Sequence, residues 1–177
     1  AFRHIKRNKG AAGIDGQSLS AFEANLEVEL SCLLLELKEK RYRAQPVRRV
    51  AIAKDDGGER LLGIPTVRDR VVQQALRRII EPIFEPDFHP SSYGYRPGRS
   101  GHHAIGKAEL FIRRYRRDWV VDMDLSKCFD TLNHDLIIRQ FRQRITDGSV
   151  LSLLRQFLES GVMVGYHLEE TELGSPQ

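Results

Sequence analysis

The sequence predicts an α+β fold in which antiparallel hairpins pack with helices. Three observations carry this. Apolar residues recur at helical spacing in several stretches. Strand-like runs are short, and the clearest pair flanks a glycine turn. No regular strand–helix–strand alternation links them. The chain has 177 residues, of which 41% are hydrophobic and 29% charged, a balance that excludes a generic disordered chain. At this length about 70% of the unfolded chain's surface can be buried, so a core is possible.

The first stretch with character, Asn8-Lys9-Gly10-Ala11-Ala12-Gly13-Ile14-Asp15-Gly16, is glycine-rich and predicts a loop. Ser20-Ala21-Phe22-Glu23 forms a capping-box pattern, and Phe22, Leu26, Leu30, Leu33, Leu34 and Leu37 then predict one helix to about Lys40. Cys32 on that helix is expected to be inert packing. Residues 47–53 and 60–64 predict two strands, with Asp55-Asp56-Gly57-Gly58 as the hairpin turn. Thr66 caps a helix that carries Val71, Val72, Leu76, Ile79, Ile80 and Ile83 to Pro82 or Pro86. A polar, aromatic loop, Pro90 to Ser100, precedes a helix from Ser100 to about Tyr115. Trp119 to Asp124 predicts a strand, and Asn133 caps a helix to about Ile145. Residues 149–160 predict another helix, Val162 to Leu168 a strand, and Leu173 to Gln177 a turn.

There are 28 Lys and Arg against 24 Asp and Glu, a net charge of +4. The basic residues are clumped, notably at Lys38–Arg43, Arg68–Arg78 and Arg113–Arg117, with tyrosines among them. Arginine forks suit phosphate oxygens, so the clumps favour a polyanion, nucleic acid, as partner. Tyr42, Tyr93 and Tyr95 are candidate base-stacking residues, with core or loop packing as the alternative for each. Two cysteines cannot frame a disulfide scaffold, and no apolar run approaches the ~20 residues that span a bilayer. A reducing, intracellular, bacterial-type (cytoplasmic) setting without membrane is the expectation.

The sharpest feature is Val120-Val121-Asp122-Met123-Asp124-Leu125-Ser126-Lys127-Cys128-Phe129-Asp130. On a strand Asp122 and Asp124 project from one face, and paired carboxylates suit a hard divalent cation such as magnesium. The segment resembles motif A of reverse transcriptases, and the chain as a whole resembles the group II intron-encoded reverse transcriptases, or maturases. Asn8 to Gly16 is similar to their N-terminal signature. Arg60-Leu61-Leu62-Gly63-Ile64-Pro65-Thr66-Val67-Arg68-Asp69-Arg70 is similar to their fingers motif. Ser92-Tyr93-Gly94-Tyr95-Arg96-Pro97-Gly98-Arg99-Ser100 is similar to the loop leading into the palm. Leu173-Gly174-Ser175-Pro176-Gln177 is similar to the start of their Gly-x-Pro-Gln-Gly motif.

The resemblance implies an RNA-directed DNA polymerase that adds dNTPs to a primer 3′-hydroxyl on an RNA template with two Mg2+. Asp124 matches the catalytic metal ligand, with the carbonyl of Leu125 as a further ligand. Lys54 and Arg60 match cations that hold the triphosphate, Phe129 the steric gate under the sugar, and Gln177 a glutamine beside the nucleotide. Asp122 matches no fixed position. Arg68, Arg70, Arg96, Arg99, Arg113, Arg114, Arg116 and Arg117 are candidate RNA contacts. The partners implied are template and primer, intron RNA and dNTP. The implied organisation is fingers over 1–97, the start of a palm with motif A over 98–131, and a return through the fingers over 132–177. No Tyr-x-Asp-Asp sequence occurs in the 177 residues. The chain is therefore expected to be a fragment with an incomplete palm, inactive alone, with uncovered apolar surface that favours a homodimer. The alternatives are an RNA-binding maturase-type module without polymerase activity, or a retron or defence-type reverse transcriptase.

Overall fold

The computed structural model describes residues 1–53, 55 and 57–176; Lys54, Asp56 and Gln177 lie outside the described residues. The fold is α+β, with helices α1 (Phe2–Arg7), α2 (Leu19–Ala24), α3 (Leu26–Lys38), α4 (Val67–Phe84), α5 (Gly101–Arg113), α6 (Cys128–Thr131), α7 (His134–Arg142) and α8 (Gly148–Leu158). Strands β1 (Val47–Ala53), β2 (Glu59–Ile64), β3 (Val162–Val164) and β4 (His167–Glu169) form one sheet in the order β2-β1-β3-β4. Two antiparallel hairpins, β1–β2 and β3–β4, are joined by a short parallel pairing of β1 with β3.

The chain divides into two compact units. One comprises Ala1–Arg77 with Lys127–Gln177, the other Arg78–Ser126. The first holds the core. Phe22, Leu33, Val47, Val67, Val72, Ile138 and Val162 are buried, and Phe2 stacks on Phe22 with ring centroids 5.4 Å apart. α4 begins as predicted, with the Thr66 hydroxyl accepting from the Asp69 amide at 3.1 Å.

Several expectations are corrected. The expected single helix over 20–40 is two, broken at Asn25, and its cap is Ser18, whose hydroxyl accepts from the Ala21 amide. Ser20 instead hydrogen bonds to Ser18. Cys32 is exposed, while its neighbour Leu33 is the residue that α3 buries. The expected strand over 162–168 is a hairpin: Gly165, at φ +60, with Tyr166 makes a two-residue turn that pairs Val164 with His167. The expected strand over Trp119–Asp124 is not formed. No described strand pairs with it, and a strand without a ladder partner gains no hydrogen bonds to offset its ordering. Tyr42, at 3% exposure, is a core residue rather than a stacking platform.

In the Arg78–Ser126 unit no residue is buried. The expected loop over 90–100 is organised around Arg96. Its guanidinium pairs with Glu85 at 2.8 Å, donates to the carbonyls of His89 and Ser92 at 2.9 Å each, and lies over the Phe88 ring.

Candidate functional site

The hairpin β1–β2 is half-buried at its base and exposed at its tip. Arg60 pairs with Ile52 near that tip and is exposed, so its guanidinium is open to a ligand. Lys54 lies outside the described residues. The base of the hairpin leads straight into a polar staple. The Tyr42 hydroxyl donates to Asp69 Oδ1, and the Gln45 amide donates to Oδ2 at 3.2 Å. Burial pushes the Asp69 carboxyl above its usual range, against the pull of these hydrogen bonds and that of Thr66. The Tyr42 hydroxyl is pushed far above its ordinary value, by burial first and the Asp69 charge second.

The glycine-rich loop is clamped onto the same place. Arg48 Nη2 donates to the Ala12 carbonyl at 2.8 Å and Arg70 Nη2 to the Ala11 carbonyl at 2.7 Å. Gly13 lies against the backbone of Pro65 and Thr66 so closely that a Cβ would come within 2.6 Å of Thr66 Cα. Arg68 pairs with Glu36 of α3 at 2.7 Å. Arg68 and Arg70 thus join parts of the first unit to one another.

Asp122, Asp124 and Leu125 lie on exposed chain of the second unit without regular structure. Among the described residues no group of three or more His, Cys, Asp or Glu is placed to hold a metal ion. The described residues alone therefore do not make a two-magnesium site. Four residues on in the sequence from Leu125, Phe129 sits on α6, 60% exposed. Lys127 caps that helix in the left-handed conformation, φ +50, which is uncommon for a residue with a side chain.

The chain's last segment is held against α6. The Ser175 amide donates to the Phe129 carbonyl and the Gly174 amide to the Leu132 carbonyl, each at 2.8 Å, and His134 contacts the Gly174 carbonyl. Sequence reasoning placed Gly174 in a motif but missed His134, because the contact between them joins residues 40 apart in the chain. Gln177 lies outside the described residues.

Of the candidate RNA contacts, Arg96 has a side chain only 8% exposed, and its donors are taken by protein acceptors. Arg99 donates to the Pro90 carbonyl and lies over the Tyr93 ring. Arg113 pairs with Glu109 one turn back, and Arg114, Arg116 and Arg117 are exposed where α5 ends. Among the described residues no helix is long and apolar enough to cross a membrane.

Residues 52–177 match the family model described as reverse transcriptase (RNA-dependent DNA polymerase). Protein YkfC of Escherichia coli K12 is 43% identical over 183 aligned residues, an alignment covering all of this chain and 48% of that protein. The group II intron-encoded protein LtrA of Lactococcus lactis is 35% identical over 180 residues, covering all of this chain and 29% of LtrA. A putative COX1/OXI3 intron 2 protein of Saccharomyces cerevisiae is 32% identical, again along the whole chain and over 20% of its own length. The chain thus spans about half or less of the length of these relatives. The order of its motifs, its exposed hairpin and a family match over most of its length lead to one conclusion: the chain belongs to the reverse transcriptase family, among relatives that include group II intron-encoded proteins.

Proposed function

We propose that the chain is the fingers and the start of the palm of a group II intron-type RNA-directed DNA polymerase. The observation that carries this reading is the hairpin β1–β2, which presents Arg60 at an exposed tip while its base is fixed by the Tyr42–Asp69 staple. A cation on a rigidly based arm suits the triphosphate of an incoming nucleotide. Lys54 is its proposed companion. Phe129 is proposed to meet the sugar and exclude a 2′-hydroxyl, and Gln177 to contact the nucleotide. Fingers over 1–97, palm over 98–131 and a return over 132–177 is the proposed division.

Asp124 is proposed as one metal ligand, with the Leu125 carbonyl beside it. A bound magnesium pair supplies charge neutralisation of the triphosphate and activation of the primer hydroxyl. The test is primer extension on an RNA template by the full-length protein, with Asp124→Ala expected to abolish it and Phe129→Ala to admit ribonucleotides. The 177-residue chain alone is expected to extend nothing. Extension by that chain, or normal extension by the Asp124 variant, overturns this reading.

RNA binding without polymerisation is the second reading, favoured by the exposed arginines that end α5. Template, primer and intron RNA are the proposed nucleic acids. If about four to six phosphates are neutralised, the log–log salt slope is about −3.6 to −5.4 on the duplex DNA coefficient, shallower on single strands. Replacing Arg113, Arg114, Arg116 and Arg117 by Gln flattens it. Superimposed titrations of the variant and the parent remove this cluster from the RNA face.

A further inference from the structure

We propose that His134 is a positioning residue for nucleotide selection: it seats the Gly174–Pro176 segment against α6 and so fixes Phe129. This rests on the reading of Phe129 as the sugar gate. His134 is the first residue of α7 and only 5% exposed. Its Nε2 lies 2.6 Å from the Gly174 carbonyl oxygen. A carbonyl only accepts, so Nε2 carries the hydrogen and donates it.

Among the described residues, the other ties of this segment are made by backbone. Leu173 bridges Asn133, the Gly174 amide donates to Leu132, and the Ser175 amide donates to Phe129. Gly174 has φ +78, and a Cβ there would meet the Phe129 and Asp130 carbonyl oxygens at 2.7 Å each. The segment therefore lies flush on the backbone of the gate residue. Its other side, through Ser175 and Pro176, faces a cavity of about 150 Å³ shared with Phe141, Leu154 and Phe157.

His134 is the side chain in this set of ties, and so the one a substitution removes without disturbing the backbone. A buried polar group must be satisfied, and this one uses its donor on a distant loop rather than on its own helix. Beside it a cavity of about 500 Å³, lined by Arg155, Glu159 and Thr171 among others, leaves space for the loop to relax once the bond is lost. A looser loop lets Phe129 shift, which weakens the rejection of a 2′-hydroxyl more than it slows chemistry.

The experiment compares His134→Leu, which keeps volume and loses the donor, with His134→Gln, which keeps an amide donor. Steady-state primer extension by the full-length protein is measured with dNTP and rNTP. The Leu variant is expected to raise KM for dNTP about tenfold and to lower dNTP-over-rNTP selectivity about tenfold, with kcat within about threefold. The Gln variant is expected to restore both. Parental selectivity in the Leu variant, or no rescue by Gln, overturns the proposal. Amide hydrogen exchange at Gly174 and Ser175 is read in parallel, with about tenfold faster exchange expected in the Leu variant only. If the parent protein extends no primer, the polymerase reading falls, and the exchange measurement alone decides whether His134 seats the loop: equal exchange in the two variants overturns that.

Discussion

In the unit formed by Ala1–Arg77 and Lys127–Gln177, Phe22 and Val67 are sealed from solvent and Leu33 and Val72 nearly so; in Arg78–Ser126 no residue is buried. The glycine-rich loop of the first unit has no regular structure, yet two arginines and a close backbone approach fix it. The segment Trp119–Leu125 of the second has strong strand propensity and forms no strand. The pair teaches that order here follows from partners rather than from local preference. A loop with partners is fixed, and a strand-like run that pairs with no described strand forms no regular structure.

The largest break in this contrast is expected from Phe22→Ala. The ring is fully buried and stacked on Phe2. Its removal should cost about 3–5 kcal/mol in urea unfolding, because the cavity adds to the lost transfer energy. A loss below about 1 kcal/mol would mean that α1 and α2 do not dock in solution.

Next comes Asp69→Ala, which strands the Tyr42 hydroxyl and the Gln45 amide and should cost about 3 kcal/mol. Asp69→Asn sharpens the point through pH. The folded carboxyl holds its proton above the usual value, so the folded state binds more protons than the unfolded one in that window. Stability from this group is therefore greatest below the ordinary Asp value of about 3.9 and falls as pH rises towards the raised folded value. Urea melts between acid and neutral pH should show the parent losing stability, relative to the Asp69→Asn variant, as pH rises. A constant difference would place Asp69 in a solvated site.

How much of this was legible in the sequence depends on range. The β1–β2 hairpin, the Thr66 cap and the Asn133 cap, whose side chain accepts from the Leu136 amide, are written in neighbouring residues. The capping-box pattern pointed to Ser20, but α2 starts two residues earlier and is capped by Ser18, whose hydroxyl accepts from the Ala21 amide. The Gly165 turn was hidden because residues 162–168 form a mostly apolar and aromatic run that reads as one strand, and the pairing of Val164 with His167 is what reveals the turn. For the candidate site, motif resemblance marked Asp124, Arg60 and Phe129. It included Asp69 without a role and did not mark His134, because their partners are 27 and 40 residues away.

The second unit's organising element is expected to fail locally. Arg96→Lys keeps the charge and loses the planar fork that serves Glu85, His89 and Ser92 together. Proteolysis within Pro90–Ser100 should accelerate several-fold while the melting of the first unit is unchanged. A matching drop in the global transition would mean that the two units unfold as one.

The smallest effect is expected at Trp119. This residue is 94% exposed, and Val121 and Met123 are at least 80% exposed. Residues in that state give up little on substitution, so Trp119→Ser in the 177-residue chain should change stability by less than about 0.5 kcal/mol. Tryptophan carries more apolar surface than phenylalanine, so this small effect beside the Phe22 loss isolates burial from residue type. A run of exposed apolar residues also invites association. If the chain pairs with itself through this segment, light scattering will report a dimer, and the Trp119 substitution will then weaken the dimer and cost more than about 1 kcal/mol at high protein concentration only. An effect of that size at every concentration would instead mean that the segment packs within its own chain, and the contrast between the units would fail.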